Sequence, residues 1–321
     1  MDESPGALPA ATSHGVITAY HHAGFAAPLG DHVMPMRKFQ LVADKLAGRA
    51  GVRVEAPPPI AAGDLLRVHT SAYVEAVRTG EPRALAESQK FPWSPALWPS
   101  VLLTGGGALA AATRALDDGV AAALASGFHH AHADHGEGFC TFNGLVVAAE
   151  ALRAAGRIER VAVLDLDLHY GNGTASLCAA RPWLVNCSIY GNDYWQNKPY
   201  RDVETVHHTD GPNHLSFALP NGSGRAVLFE ALERGTAALL ATGRPDLVLY
   251  QAGADPYRED PYSPLDLDHD DLRERDRFIF AWARNQGLPL AWVLAGGYTP
   301  DVSKVVDVHV GTFDAAQSVY R

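Results

Sequence analysis

Residues 161–173 read VAVLDLDLHYGNG, and the fold turns on how this stretch is read. Its first part, 161–166, is a compact apolar run, the signature of a strand buried on both faces of a parallel sheet. The run then gives way to Asp165, Asp167 and His169 at alternate positions. In extended backbone, side chains two residues apart point to the same side. Outward from this stretch, similar apolar runs occupy 16–20, 120–125, 184–189, 247–251 and 290–294. Amphipathic stretches of helical length lie between them at 35–47, 106–116, 145–154, 226–241 and 272–285. Short Pro-rich pieces at 56–59 and 91–99 read as loops. The alternation predicts an α/β protein, a three-layer αβα fold with a mainly parallel central sheet covered on both faces. Neither an internal repeat nor a long linker interrupts the pattern. The expectation is one catalytic domain over 14–321 behind a disordered acidic leader at 1–13, MDESPGALPAATS.

Composition narrows the function. The 321 residues are 47% hydrophobic and 19% charged, enough apolar content for a sizeable core. The formal net charge is −10 and no block of Lys and Arg occurs, which argues against nucleic-acid binding through phosphates. An acidic surface would attract cationic substrates, although acidity also serves solubility alone. Gly, Pro, His or charge interrupts every apolar run before it reaches the length of a membrane span. The first residues lack the basic and apolar regions of a secretory signal. Cys140, Cys178 and Cys187 are odd in number and lack CxxC spacing, as expected for reduced thiols in a cytoplasm.

In open parallel sheets, ligands bind beyond the carboxyl ends of the strands. After 120–125 comes SGFHHAHADHGEGFC, carrying His129 and His130; after 161–166 come Asp167 and His169. After 247–251 comes AGADP with Asp255, and after 290–294 comes AGGY with Tyr298. An isolated strand-end Asp or His more often caps a helix or anchors a loop, and a DxH run alone reads that way. Four such sets directed to one edge are hard to explain by loop anchoring. The set Asp167, His169 and Asp255 suits a divalent metal with an open position for water. Cys140 beside Phe139 reads as a small packed hydrophobe rather than a nucleophile. His132, His135, His207 and His208 fall in polar stretches and read as solvated.

With these motifs in order, SGFHHA then GEGFC, LDLDLHYGNG, YQAGADP and LAGGY, the chain resembles the zinc-dependent histone deacetylases of the arginase/deacetylase superfamily. The resemblance runs from about residue 16 to the C-terminus, weakening over 191–213. HVMPMRKF, FPWSPALW, YQAGADPYRED and the ERD at 274–276 are closest to class IV deacetylases and their bacterial relatives. It implies zinc on Asp167, His169 and Asp255, His130 as general base, and His129 as its electrostatic partner, oriented by Asp165. Tyr298 would polarise the carbonyl. A buried potassium ion would rest on Asp165, Ser188 and the backbone carbonyls of Asp167, His169 and Ile189. Gly138, Phe139, Tyr262, Gly296 and Gly297 would contact substrate, an acylated lysine or polyamine.

The physical logic agrees with that assignment. Two carboxylates neutralise most of the charge of Zn²⁺, so the metal acidifies water less than a three-histidine site and a separate base is needed. Histidine titrates near neutrality and suits the role. The anion of Asp165 favours a protonated His129, whereas neutral Asn172 leaves His130 free to accept a proton. Departures from the family pattern concern substrate: Ser126-Gly127 stands where Gly-Gly is usual, and Tyr262-Ser263 where Leu-Gly is usual at the pocket mouth. The stretch DYWQNKPYR at 193–201 is peculiar to this chain. A bulky, polar-tipped ring at 262 favours short acyl groups over long apolar ones. Two other readings remain open: a two-manganese ureohydrolase of arginase type, and a non-catalytic binder of acyl-lysine or a metabolite.

Overall fold

The computed structural model describes residues 15–28, 34–193, 198–199 and 213–321. The leader, His32 and Val33 of the HVMPMRKF stretch, most of 193–201, and His207 and His208 lie outside the described residues. In chain order the strands are β1 (Ile17–Tyr20), β2 (Val52–Glu55), β3 (Val120–Ala123), β4 (Val161–Asp165) and β5 (Leu184–Tyr190). Then come β6 (Asn192–Asp193), β7 (Lys198–Pro199), β8 (His214–Ala218), β9 (Leu247–Gly253) and β10 (Leu290–Ala295). The first helices are α1 (Lys38–Leu46), α2 (Ala62–Leu65), α3 (Ser71–Thr79), α4 (Arg83–Ala86) and α5 (Leu97–Asp118). They are followed by α6 (Gly144–Ala154), α7 (Asn172–Cys178), α8 (Arg225–Ala241), α9 (His269–Asn285) and α10 (Val302–Tyr320).

Eight strands form one sheet in the order β2-β1-β3-β10-β9-β4-β5-β8, and every pairing in it is parallel. The pleat explains the layers. Ala162 and Leu164 of β4 join one buried cluster with residues of α1, α8, α9 and α10. Val161 and Val163 point the other way, into a second cluster with residues of α3, α5 and α6. The sheet is thus covered on both faces, as the apolar runs predict.

The differences from expectation have physical causes. Helix α5 starts at Leu97, well before 106, because Pro99 sits in its first turn, where a missing N–H costs nothing. Strand β2 (VRVE) is half-exposed at the sheet edge and β8 is only partly buried, so neither carries an apolar run. Helix α9 begins at His269 rather than 272 because Asp268 and Asp271 close a reciprocal capping box. Helix α10 buries Val305, Val306, His309, Thr312 and Phe313 on one face, beside α9 and α1.

What positions the site is strand order. β3, β10, β9 and β4 are consecutive neighbours in the middle of the sheet, so the four motif-bearing carboxyl ends lie side by side. Among the described residues, no helix is long and apolar enough to cross a membrane.

Candidate active site

Asp167 and His169 leave β4 and Asp255 leaves β9, and one ligand atom from each lies within 4.8 Å of the others, all three residues buried. His169 Nδ1 is 3.3 Å from Asp167 Oδ1 and 3.1 Å from Asp255 Oδ2. The backbone fixes these carboxylates: His169 N–H donates to Asp167 Oδ1 (2.9 Å) and Leu168 N–H to Asp255 Oδ1 (3.0 Å). Burial alone would lower the pKa of His169, yet the Asp167 and Asp255 carboxylates outweigh it and push it up to about 10. Burial and the Asp167 charge push Asp255 upward. Two buried carboxylates around one imidazole therefore select positive charge, and one nitrogen with two oxygens is a donor set that suits a divalent cation.

His129 and His130 follow β3, with ring centroids 4.0 Å apart, and their environments differ as the neighbouring residues predict. His129 Nδ1 lies 2.7 Å from Asp165 Oδ2. Against burial, which works downward, Asp165 and Asp167 push His129 up to about 9. His130 Nδ1 lies 2.7 Å from Asn172 Oδ1. Because Asn172 Oδ1 only accepts, His130 Nδ1 carries the proton and Nε2 keeps its lone pair. Burial, then the charges of His129 and His169, hold His130 well below the usual histidine range. Asn172 opens α7, which presses on the histidine pair: Thr174 N–H donates to the His129 carbonyl at 2.8 Å. A Cβ at Gly173 would stand 2.4 Å from the His130 carbonyl carbon, so the approach requires glycine.

Tyr298 follows β10, its ring 6.1 Å from that of His169, and Tyr262 sits 5.2 Å from Tyr298 and 6.0 Å from His169. Phe139, in a left-handed conformation at φ 65° after Gly138 at φ 51°, stacks on Phe91 at 5.6 Å and lies 6.4 Å from Tyr298. Gly296, at φ 47°, is where a Cβ would meet Asp255 Cγ at 2.1 Å, and a Cβ at Gly297 would meet Val305 Cγ1 at 2.5 Å. Both glycines thus permit close packing behind the site. Asp165 is fully buried and pairs in register with Ser188 on β5. Ser188 Oγ is buried with no hydrogen-bond partner among the described residues. The structure brings Asp165, Asp167, His169, Asp255, His129, His130 and Tyr298 together at this end of the sheet.

Other residues were not assigned a role from sequence. Asp260, buried, accepts from the backbone N–H of both Tyr298 (2.6 Å) and Tyr262 (3.0 Å), tying the two tyrosine loops to one carboxylate. Burial and the nearby Asp255 push it up to about 7. Lys38 is fully buried, donates to the Gly296 carbonyl, and is lowered to about 8 by burial against the pull of Asp255, Asp167 and Asp260. Arg275, from the ERD stretch, donates through Nη1 to the carbonyls of Leu166 (3.2 Å) and Gly253 (2.9 Å), and through Nε to Asp276 Oδ1 (2.8 Å). Tyr250 and Thr312 also donate to Asp276. His132 is a correction: its side chain is 19% exposed and engaged on both nitrogens, with Ser176 Oγ at 2.8 Å and with Glu137 and Asn172. Proximity in sequence to the GEGFC motif was its only signal.

Residues 32–313 match the model of the histone deacetylase domain, and the chain belongs to that family. An uncharacterised protein of Picosynechococcus sp. is 29% identical over 305 residues, covering 94% of this chain and 98% of the relative. A histone deacetylase-like amidohydrolase of Pseudomonas aeruginosa is 29% identical over 270 residues, 82% of this chain and 70% of its own length. The crystal structure of an acetylpolyamine aminohydrolase from Burkholderia pseudomallei superposes with a TM-score of 0.76 at 25% identity, covering 94% of this chain and 99% of that one. The family consists of deacetylases and amidohydrolases, which places this chain among hydrolases of acyl amides.

Arg275 offers a first test. Arg275→Met should strand the buried Asp276 carboxylate and lower stability by about 3–5 kcal/mol, read from the urea midpoint. Arg275→Met with Asp276→Leu should recover much of that loss. If the single variant is as stable as the wild type, Arg275 does not hold the strand ends.

Proposed function

We propose that this chain is a zinc-dependent deacylase that hydrolyses an acyl amide on a lysine or polyamine amine, acting in the cytoplasm through one catalytic domain over 14–321. The supporting observation is the pair of adjacent histidines, one bonded to the Asp165 carboxylate and the other to the Asn172 amide oxygen, beside a buried His/Asp/Asp cluster. Asp167, His169 and Asp255 would hold the zinc, which when bound supplies Lewis acidity toward the amide carbonyl and the attacking water.

The remaining chemistry belongs to side chains. His130 Nε2 takes the proton of the attacking water, its ring held by Nδ1–H donation to Asn172. The amine leaves with a proton from the same imidazole. His129, kept cationic by Asp165, offers positive charge where the carbonyl oxygen gains negative charge. The Tyr298 hydroxyl, held above the usual phenol range by burial and the nearby carboxylates, stays a proton donor to that oxygen. A potassium ion fits Asp165 and Ser188, whose buried hydroxyl has no partner among the described residues. Gly138 and Phe139 line the acyl channel, and the Tyr262 ring beside His169 and Tyr298 favours short acyl groups. The ureohydrolase alternative requires further carboxylates directly after the DxH run, where this chain has Tyr170, Gly171 and Asn172. The non-catalytic alternative is disfavoured because the metal-binding candidates and the tyrosine are all present.

The decisive assay is turnover of acetyl-, octanoyl- and myristoyl-lysine peptides and acetylpolyamines, with and without chelator. Asp255→Ala should abolish turnover and bound zinc together; activity that survives both Asp255→Ala and chelation would refute the zinc mechanism.

In the same panel, Tyr262→Leu should gain on octanoyl- and myristoyl-lysine while acetyl turnover stays roughly constant. A wild type that already prefers myristoyl would contradict the role given to Tyr262.

The histidine roles predict a pH effect. Asn172→Asp, made with Glu137→Gln so that two carboxylates do not face each other, puts an anion against His130. An adjacent anion favours the imidazolium and raises the pKa of His130, so the base becomes available only at higher pH. The acidic limb of the kcat/KM profile should move upward relative to Glu137→Gln alone. An unmoved limb would mean that His130 is not the base.

A further inference from the structure

Beyond the His/Asp/Asp cluster, one other group of potential ligands stands out among the described residues: His132, His135 and Glu137, with one ligand atom from each within 4.8 Å of the others. It lies on the loop between β3 and α6, on the outer side of Asn172. The hydrogen bonds around it fix the orientation of both rings. His132 Nδ1 is engaged by Ser176 Oγ at 2.8 Å and His135 Nδ1 by Asp134 Oδ1 at 2.7 Å. Metal-binding imidazoles characteristically have their other ring nitrogen bonded to an oxygen partner, which fixes tautomer and ring orientation. Here both rings are fixed so that Nε2 is presented, and His132 Nε2 stands 3.3 Å from Glu137 Oε2.

Glu137 is available as an anion. Burial works against its ionisation, but the neighbouring His132 and the amide donor of Asn172 hold it below the usual carboxylate range. The rings of His132 and His135 stack with centroids 4.5 Å apart. Tetrahedral zinc, with bonds of about 2.0–2.1 Å, places its ligand atoms roughly 3.3 Å apart. The cluster must therefore contract modestly, and the His135 side chain, 42% exposed, has room to turn. Two imidazoles and a carboxylate with solvent access are a donor set for Zn²⁺ or a similar borderline transition metal.

We propose that His132, His135 and Glu137 form a second divalent transition-metal site, separate from the buried one and coupled to it through Asn172. The coupling follows from shared atoms. Asn172 Nδ2 donates to Glu137 Oε2 at 2.5 Å and approaches His132 Nε2 at 3.2 Å, while Asn172 Oδ1 receives the proton of His130 Nδ1. A cation taking the lone pairs of Glu137 and His132 removes both partners of the Asn172 amide, and the amide that orients His130 is loosened. Occupancy of the outer site thus acts on the inner one without touching it. The outer site does not depend on which reaction the inner one performs.

Calorimetric titration of Zn²⁺ into the purified protein holding its own metal tests the site. The wild type should take up one further equivalent. His135→Ala and Glu137→Gln should each weaken that uptake at least tenfold, whereas Asp255→Ala should retain it, which separates this site from the inner one. The low-field proton NMR signal of the His130 Nδ1 proton should shift with the added equivalent in the wild type and stay fixed in His135→Ala. A wild type that binds no further zinc, or a His135→Ala variant that binds it equally well, overturns the site. Uptake with an unmoved His130 signal overturns the coupling.

Discussion

The geometry of the site depends on one buried guanidinium. Arg275 reaches from α9 and donates from a single nitrogen to the carbonyls of Leu166, just past the end of β4, and Gly253, the last residue of β9, close before Asp167 and Asp255. The pairing of β4 with β9 runs only to Asp165 and Gln251, and beyond it a cation between these two carbonyls both bonds them and sets their separation. Asp276 neutralises the guanidinium and is itself held by Tyr250 and Thr312. A charge at this depth is tolerated only because each of these contacts is made. The consequence is that two carboxylates from different strands are brought close together despite their repulsion.

Electrostatic differentiation then builds on that frame. Neighbouring imidazoles at 4.0 Å would ordinarily titrate as an indistinct pair. One faces Asp165 and the other the amide oxygen of Asn172, and this single difference in partner divides their roles. A similar economy holds on the opposite wall, where the one carboxylate of Asp260 secures the backbone of both Tyr262 and Tyr298. The two aromatic groups nearest the open side of the cluster therefore share an anchor, and movement of one loop is felt by the other.

Much of this was legible in the sequence because the central strands are buried on both faces and read as continuous apolar runs. The edge strand VRVE is not, since Arg53 is exposed and its other side chains are only partly buried. Helix α10 escaped because the valines of its first half, at 302, 305, 306, 308 and 310, suit a strand as well as a helix, and packing against α9 and α1 decides between them. The His/Asp/Asp cluster was legible because its residues sit directly at strand ends, where topology alone brings them together. Asp260, Lys38 and Arg275 act through backbone atoms far away in sequence, such as Gly296 and Leu166, and no local pattern announces such partners. His132 was misread for the opposite reason: its surroundings in sequence are polar, yet α7 and Glu137 fold over it.

Among the described strands β10 comes last in chain order, yet it lies in the middle of the sheet, between β3 and β9. During synthesis, the strands that precede it can form two separate halves, β2-β1-β3 and β9-β4-β5-β8, each ending in an apolar strand with unpaired N–H and C=O groups. Such edges are templates for pairing with other chains. Only when residues 290–295 leave the ribosome can the halves join, and only then do the histidines after β3 meet the carboxylates after β4 and β9. The nascent chain therefore carries two sticky edges until β10 is made, and the step that removes this aggregation hazard is also the step that assembles the site.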